Sequence, residues 1–133
     1  MSLENIKLLL KKYSFDFYYL EEVESTMIEI KNICSENNIC LMANKQTNGF
    51  GRRGSFWVSP EKNVYISILL KNMINLNNHF LNTAYTSNII CDVLDKICNI
   101  ETKIKWPNDI LIKDKKVCGF ITEIFNKNDE TLI

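Results

Sequence analysis

All four glycines of this chain stand in two short stretches, Gly49, Gly51 and Gly54 in one and Gly119 in the other. Backbone freedom is therefore scarce and concentrated. The first stretch, Gly49-Phe50-Gly51-Arg52-Arg53-Gly54, runs on into Ser55-Phe56-Trp57, and the second begins at Lys105-Trp106-Pro107-Asn108-Asp109 and reaches Gly119 by way of Lys116. Bare main chain beside cations is suited to holding an anion.

The first stretch spells G-x-G-x-x-G, and its surroundings decide what that means. A dinucleotide fingerprint needs a helix opening inside the motif and an acidic residue about 20 positions later. Here Ser59-Pro60 follows, and the proline holds Ser59 extended and opposes a helix. A kinase glycine loop would need H-R-D and D-F-G downstream, and neither occurs.

A length of 133 residues predicts one domain with a sizeable core. Sixteen basic and sixteen acidic residues cancel, which argues against a chain built to grip nucleic acid, so no DNA partner is expected. There is no apolar run of about 18 residues and no secretory leader pattern; no membrane partner and a cytoplasmic location are expected. Cysteines 34, 40, 91, 98 and 118 form no C-x-x-C pair and there is a single histidine, which predicts reduced, buried thiols and no protein-built metal site. His79 is expected at the surface, at the opening of a helix.

Ser2 can cap a helix to about Lys12, with Leu3, Ile6, Leu9 and Leu10 on its apolar side. Phe15, Phe17 and Tyr19 alternate as in a strand. A second helix is expected from Ser25-Thr26 to the Asn37-Asn38 turn, with Ile30, Ile33 and Cys34 facing inward. Residues 39–43 and 64–70 read as strands. Residues 78–98 keep helical spacing through Phe80, Leu81, Ala84, Tyr85, Asn88, Ile89, Val93, Leu94 and Ile97, which predicts the helical backbone of the core. Strands follow at 102–106, 110–113 and 117–125, the last two joined as a hairpin by a turn at 113–116, with a further turn at 126–129. The pattern is α+β: a mixed, largely antiparallel sheet with helices packed on one face.

Arginine forks suit carboxylate or phosphate, although a double arginine in a loop is as often a solvated face. Asn108 carries an amide that can read a purine edge, or it simply forms a turn, as Asp109 can. Lys116 can be an ordinary turn lysine. Gly119 within an apolar strand often marks close approach by a ligand.

In their order and spacing, GFGRRGSFWVSP, KWPNDI and KVCGFITE closely resemble the biotin protein ligases, with Ser25-Thr26, Gln46 and residues 63–67 matching further family positions. The resemblance implies a class II synthetase-like fold, with biotin and ATP as substrates and Mg²⁺ accompanying ATP. It implies biotinyl-5′-adenylate as the intermediate and a lysine of a biotin carboxyl-carrier domain as the acceptor. Carried over to this sequence, it places Ser25, Thr26, Met27, Gln46, Gly49, Phe50, Gly51, Arg52, Lys116 and Gly119 around biotin. It places Arg52, Arg53, Trp57, Lys105, Asn108 and Lys116 along the nucleotide, with Lys116 and Arg52 as the catalytic cations.

Three departures qualify that picture. Phe50 stands where the family usually has arginine, Met27 where asparagine commonly follows Ser-Thr, and the sequence stops at Thr131-Leu132-Ile133, where the family continues. The last predicts an open sheet edge, a route to a homodimer, and reduced turnover. The alternatives are a biotin- or nucleotide-binding remnant and a lipoate ligase-like enzyme.

Overall fold

The computed structural model describes residues 2–71, 78–127 and 130–132. Ser2 opens the first helix as predicted: its hydroxyl accepts from the Asn5 N–H at 3.3 Å, and α1 spans Leu3–Lys11. No α1 side chain is fully buried, and Leu3 and Leu9 of the predicted inner face are exposed. The chain divides into two compact units, residues 1–73 with 126–133, and residues 74–125.

In the first unit, β1 (Phe15–Val23) runs parallel to β2 (Asn38–Gln46), and β3 (Tyr65–Leu69) pairs antiparallel with the other side of β2. Parallel neighbours need a crossover. It is supplied by α2 (Thr26–Glu29) and a 3-10 turn at Ile30–Asn32. Ile39, Leu41 and Ala43 of the central strand have no accessible surface, so the core of this unit is built on β2. Each fully buried branched side chain contributes about 1.5–3 kcal/mol over its exposed state.

The second helix is shorter than predicted. Ser35 Oγ donates to Asp16 Oδ2 at 2.6 Å and accepts from the Asn37 N–H at 2.9 Å, and Asn37 Nδ2 reaches Asp16 Oδ1. Side chains that bond the local backbone and a neighbouring strand draw the chain out of helix. The same hydrogen bonds, first Ser35 and then Asn37, hold the Asp16 carboxyl below the usual range. Ile30 is buried as expected, but Cys34 is exposed.

In the second unit, α3 (His79–Cys98) precedes an antiparallel meander of β4 (Lys103–Lys105), β5 (Asp109–Ile112) and β6 (Lys115–Gly119). Asn78 Oδ1 caps α3 by accepting from the Leu81 N–H. The face that α3 buries is not the predicted one. Tyr85 is 62% exposed and Ile89 61%, while Asn82, Thr83 and Ser87 are buried. Thr83 Oγ1 bonds Thr122 Oγ1 at 2.8 Å, and Ser87 Oγ donates to Pro107 O at 3.0 Å. Small hydroxyls bring the helix close to the segments it supports, and each finds a partner there.

Lys113 and Asp114 make a two-residue turn with φ of 49° and 61°, and Ile112 pairs with Lys115 on either side of it. This is the type I′ geometry that suits a hairpin, at the position predicted. The strand expected at 117–125 stops instead at Gly119. Residues 120–124 are irregular, because Phe120 bonds Asn108 and Thr122 bonds α3. Phe125–Lys127 (β7) and Glu130–Leu132 (β8) form a separate two-stranded ladder, so part of the predicted turn at 126–129 is strand; residues 128, 129 and 133 lie outside the described ones.

The architecture is thus α+β, with β1–β2 the parallel pair among the otherwise antiparallel ladders of the two three-stranded sheets. All five cysteines are free, but only Cys40 is buried; Cys34 and Cys98 are exposed, against expectation.

Candidate functional site

The end of β2 delivers Gln46 to the start of α2, and the two are hydrogen bonded. Gln46 Oε1 accepts from the Thr26 N–H at 2.8 Å and from Thr26 Oγ1 at 3.1 Å. Ser67 Oγ, from β3, donates to Thr26 Oγ1 at 2.9 Å. On its other side Gln46 Nε2 donates to Ser59 Oγ, whose own proton goes to Trp57 O. Ser25, Thr26 and Ser59 are buried, so this is an interior polar chain. Ser25 precedes α2 with extended backbone, but its side chain does not cap the helix. Met27 follows on α2, half-buried.

The glycine loop leaves Gln46 and folds back on itself. Trp57 N–H donates to Gly49 O at 2.9 Å, Gly51 N–H donates to Ser55 O at 2.6 Å, and Phe50 and Phe56 form an antiparallel bridge. The Gly51 amide is therefore directed into the loop, where the sequence reading had it converging on a ligand. Arg52–Gly54 form a short 3-10 turn at the tip, with both arginines exposed and Arg53 at φ 58°. At Gly51 a Cβ would lie 2.5 Å from Ser55 Oγ, which accounts for glycine there.

In the second unit Asp109 is the hub. It pairs with Lys105 across β4–β5 and with Gly119 across β5–β6, and its Oδ1 lies 2.7 Å from Lys116 Nζ. The sequence suggested an Asx turn for Asp109; the structure gives it a strand position and an ion pair. Asn108 Nδ2 donates to Phe120 O at 2.7 Å while Asn108 O accepts from the Phe120 N–H, so the residue ties the start of β5 to the end of β6. Trp106 packs on Phe80 with ring centroids 5.0 Å apart. The Trp106–Pro107 peptide is cis. His79 sits at the surface as expected, its Nε2 2.6 Å from Thr122 O.

The residues singled out by sequence thus fall into two constellations. Ser25, Thr26, Gln46 and Gly49 share one neighbourhood and lead into the loop bearing Phe50, Gly51, Arg52, Arg53 and Trp57, whereas Lys105, Asn108, Lys116 and Gly119 surround Asp109. Ser59 and Ser67 were missed as partners. The only hint was position: Ser59 stands before a proline, and Ser67 lies in the middle of an apolar strand.

A family model described as the biotin/lipoate A/B protein ligase family matches residues 19–132. The chain belongs to that family. Over 111 residues it is 34% identical to the bifunctional ligase/repressor BirA of Bacillus subtilis, a match covering 83% of this chain and 34% of that protein. It is 31% identical over 85 residues to the biotin--[acetyl-CoA-carboxylase] ligase of Paracoccus denitrificans, covering 62% of this chain and 35% of that one. The biotin protein ligase of Aquifex aeolicus, solved in complex with biotin and ATP, superposes with a TM-score of 0.74 and 31% identity, over 87% of this chain and 49% of that one. The ligase-family match therefore spans about half or less of each relative's length. The first relative's name joins repressor to ligase, so the DNA-free reading of the sequence gains no support from the biotin/lipoate ligase family.

Proposed function

We propose that this chain carries the biotin- and ATP-handling part of a biotin protein ligase. The observation that carries the reading is the Thr26–Gln46 pair: a buried main-chain N–H donor and an amide oxygen acceptor, 2.8 Å apart and bonded to each other. A cyclic urea presents the complementary set, a carbonyl acceptor flanked by N–H donors. Entering between the two, it exchanges one internal hydrogen bond for two bonds to ligand, with Ser25 adding a hydroxyl from the same turn. A ligand that parts the two without a urea's groups leaves a buried donor and acceptor unmatched, at a cost of about 1–3 kcal/mol each, and is disfavoured.

In the reaction proposed, a biotin carboxylate oxygen attacks the α-phosphorus of ATP and pyrophosphate leaves. The carrier lysine amine then attacks the acyl carbon, AMP leaves, and the amine proton passes to solvent. Lys116 screens the carboxylate and α-phosphate as the two anions approach, and Arg52 is assigned the phosphate from the loop. Arg53, Trp57, Lys105 and Asn108 are assigned to the nucleotide. Among the described residues no three His, Cys, Asp or Glu side chains gather as a metal site. Mg²⁺ accompanying ATP is assigned to phosphates and water.

Calorimetry with biotin, lipoate and ATP separately, followed by an assay of carrier biotinylation, tests the reading. Biotin binding in preference to lipoate is the expected result, and preference for lipoate would move the chain to the other branch of its family. The same assay reads carrier turnover, and light scattering alongside reports whether the chain self-associates.

A further inference from the structure

Ser59 is 7% exposed, and its hydroxyl stands where Gln46 meets the base of the glycine loop. The directions of its hydrogen bonds follow from one fixed point. The Thr26 N–H is a main-chain donor and cannot accept, so the Gln46 atom facing it is the amide oxygen. Nε2 therefore faces Ser59 at 3.0 Å, Ser59 accepts, and its single proton is left for Trp57 O at 3.1 Å. Trp57 N–H returns to Gly49 O and closes the loop. Gly49 permits the approach, since a Cβ there would come within 2.8 Å of Ser59 Oγ, 2.9 Å of Gln46 Nε2 and 3.0 Å of Trp57 O.

We propose that Ser59 is a positioning residue that couples the closed form of the 49–57 loop to the orientation of the Gln46 amide. The proposal rests on the reading of Thr26 and Gln46 as a ureido site. Without ligand, Thr26 itself fixes which way the amide points. Once a urea takes the Thr26 N–H, the Thr26 hydroxyl alone still holds Oε1 from that side, and Ser59 holds the amide from the other by accepting from Nε2. Ser59 can do so only while its proton is committed to Trp57 O, that is, while the loop is closed. An open loop frees the hydroxyl to donate to Oε1 of a flipped amide as readily as it accepts from Nε2, and the acceptor for the urea N–H is then held less firmly.

The test compares the chain with Ser59→Ala and Ser59→Thr, reading biotin affinity by calorimetry and trypsin cleavage at Arg52 and Arg53 by mass spectrometry. Biotin at saturation is expected to slow loop cleavage in the original chain. Ser59→Ala is expected to weaken biotin on the order of tenfold and, at matched occupancy, to lose that protection; Ser59→Thr restores both. Gly49→Ala keeps every hydrogen-bonding group but displaces Ser59 Oγ and Gln46 Nε2, and it should reproduce the loss if Ser59→Ala does not fold. Full biotin-dependent protection in Ser59→Ala, or in Gly49→Ala where that must stand in, overturns the proposal. If the original chain binds no biotin, the ureido reading fails on its own, and the ligand-free cleavage rate still decides the clasp. Faster cleavage in Ser59→Ala supports it, and an equal rate overturns it.

Discussion

Lys116 Nζ reaches Asp109 Oδ1 at 2.7 Å across a ladder that is irregular at that point: Ile110 pairs with Cys118 but Leu111 pairs with Lys116, leaving Val117 as an extra residue. A bulge re-aims the side chains beside it. Fully buried Ile110 anchors the strand next to Asp109. Lysine has rotamer freedom to lose, and a tether to a strand carboxylate removes part of it before substrate arrives.

Lys116→Ala is therefore expected to slow single-turnover formation of the adenylate by roughly 10²–10³, the usual loss when one donor to a developing anion is removed. Biotin affinity should change far less, because the charge matters most when two anions meet. Asp109→Asn keeps the lysine and loosens its tether, so a smaller fall in the same rate is expected. Equal losses in affinity and rate for Lys116→Ala would remove it from the chemical step.

Arg52 contributes main chain as well as charge, since its carbonyl accepts from both the Ser55 N–H and Ser55 Oγ. Arg52→Ala leaves those bonds available while removing the guanidinium. The expected outcome is a loop that still folds but retains biotinyl-adenylate poorly, read as free adenylate in solution and as biotin on bystander lysines. Labelling confined to the carrier would show that the side chain does not hold the intermediate.

The hairpin turn offers a test of stability apart from function. Lys113 and Asp114 both adopt positive φ, where residues other than glycine, asparagine or aspartate are disfavoured. Lys113→Asn combined with Asp114→Gly should stabilise the fold by about 1 kcal/mol and raise Tm by a few degrees. The double change also removes the exposed Lys103–Asp114 pair at 3.8 Å, but a contact of that kind is worth about 0–1 kcal/mol. Thermal melts decide the sign.

Burial pushes the Cys40 thiol up to about 11, from an ordinary value of 9.0. Its folded-state pKa is raised, so the stabilisation tied to keeping it protonated is complete below pH 9 and lost as pH rises through about 11. At pH 8, iodoacetamide is expected to modify Cys34 and Cys98 quickly and Cys40 only as fast as the first unit opens, with peptide mapping as the readout. Cys40→Ala should flatten stability between pH 9 and 11 relative to the original chain.

The motifs were legible because glycine, proline and paired arginines are scarce and carry local instructions. Gly51 and the Lys113–Asp114 turn could be placed before any contact was known. The inward face of α3 could not. Helical spacing shows which side of a helix is apolar, and Tyr85 and Ile89 were assigned to the core on that basis; what covers each side depends on partners that spacing does not encode. Ser59 and Ser67 were hidden for a related reason. A hydroxyl has the same appearance in sequence whether it meets water or a buried amide, and both of these find partners from distant segments. Asp109 was misread because Pro107-Asn108-Asp109 looks like a turn, whereas the ladder begins one residue earlier than expected.

Strand β2 works as a ruler. Ile39, Leu41 and Ala43 are fully enclosed and flanked by paired strands on both sides, so a slide of one residue would move every one of them to the opposite face of the sheet. The next permitted setting is a slide of two, a displacement of roughly 7 Å. No intermediate setting exists. Gln46 at the far end of the strand therefore occupies a discrete position relative to Thr26, graduated by enclosed apolar residues. Enlarging Ala43 or shortening Leu41 would thus act on the Thr26–Gln46 pair through dimension rather than chemistry, by relaxing the scale on which the amide is placed.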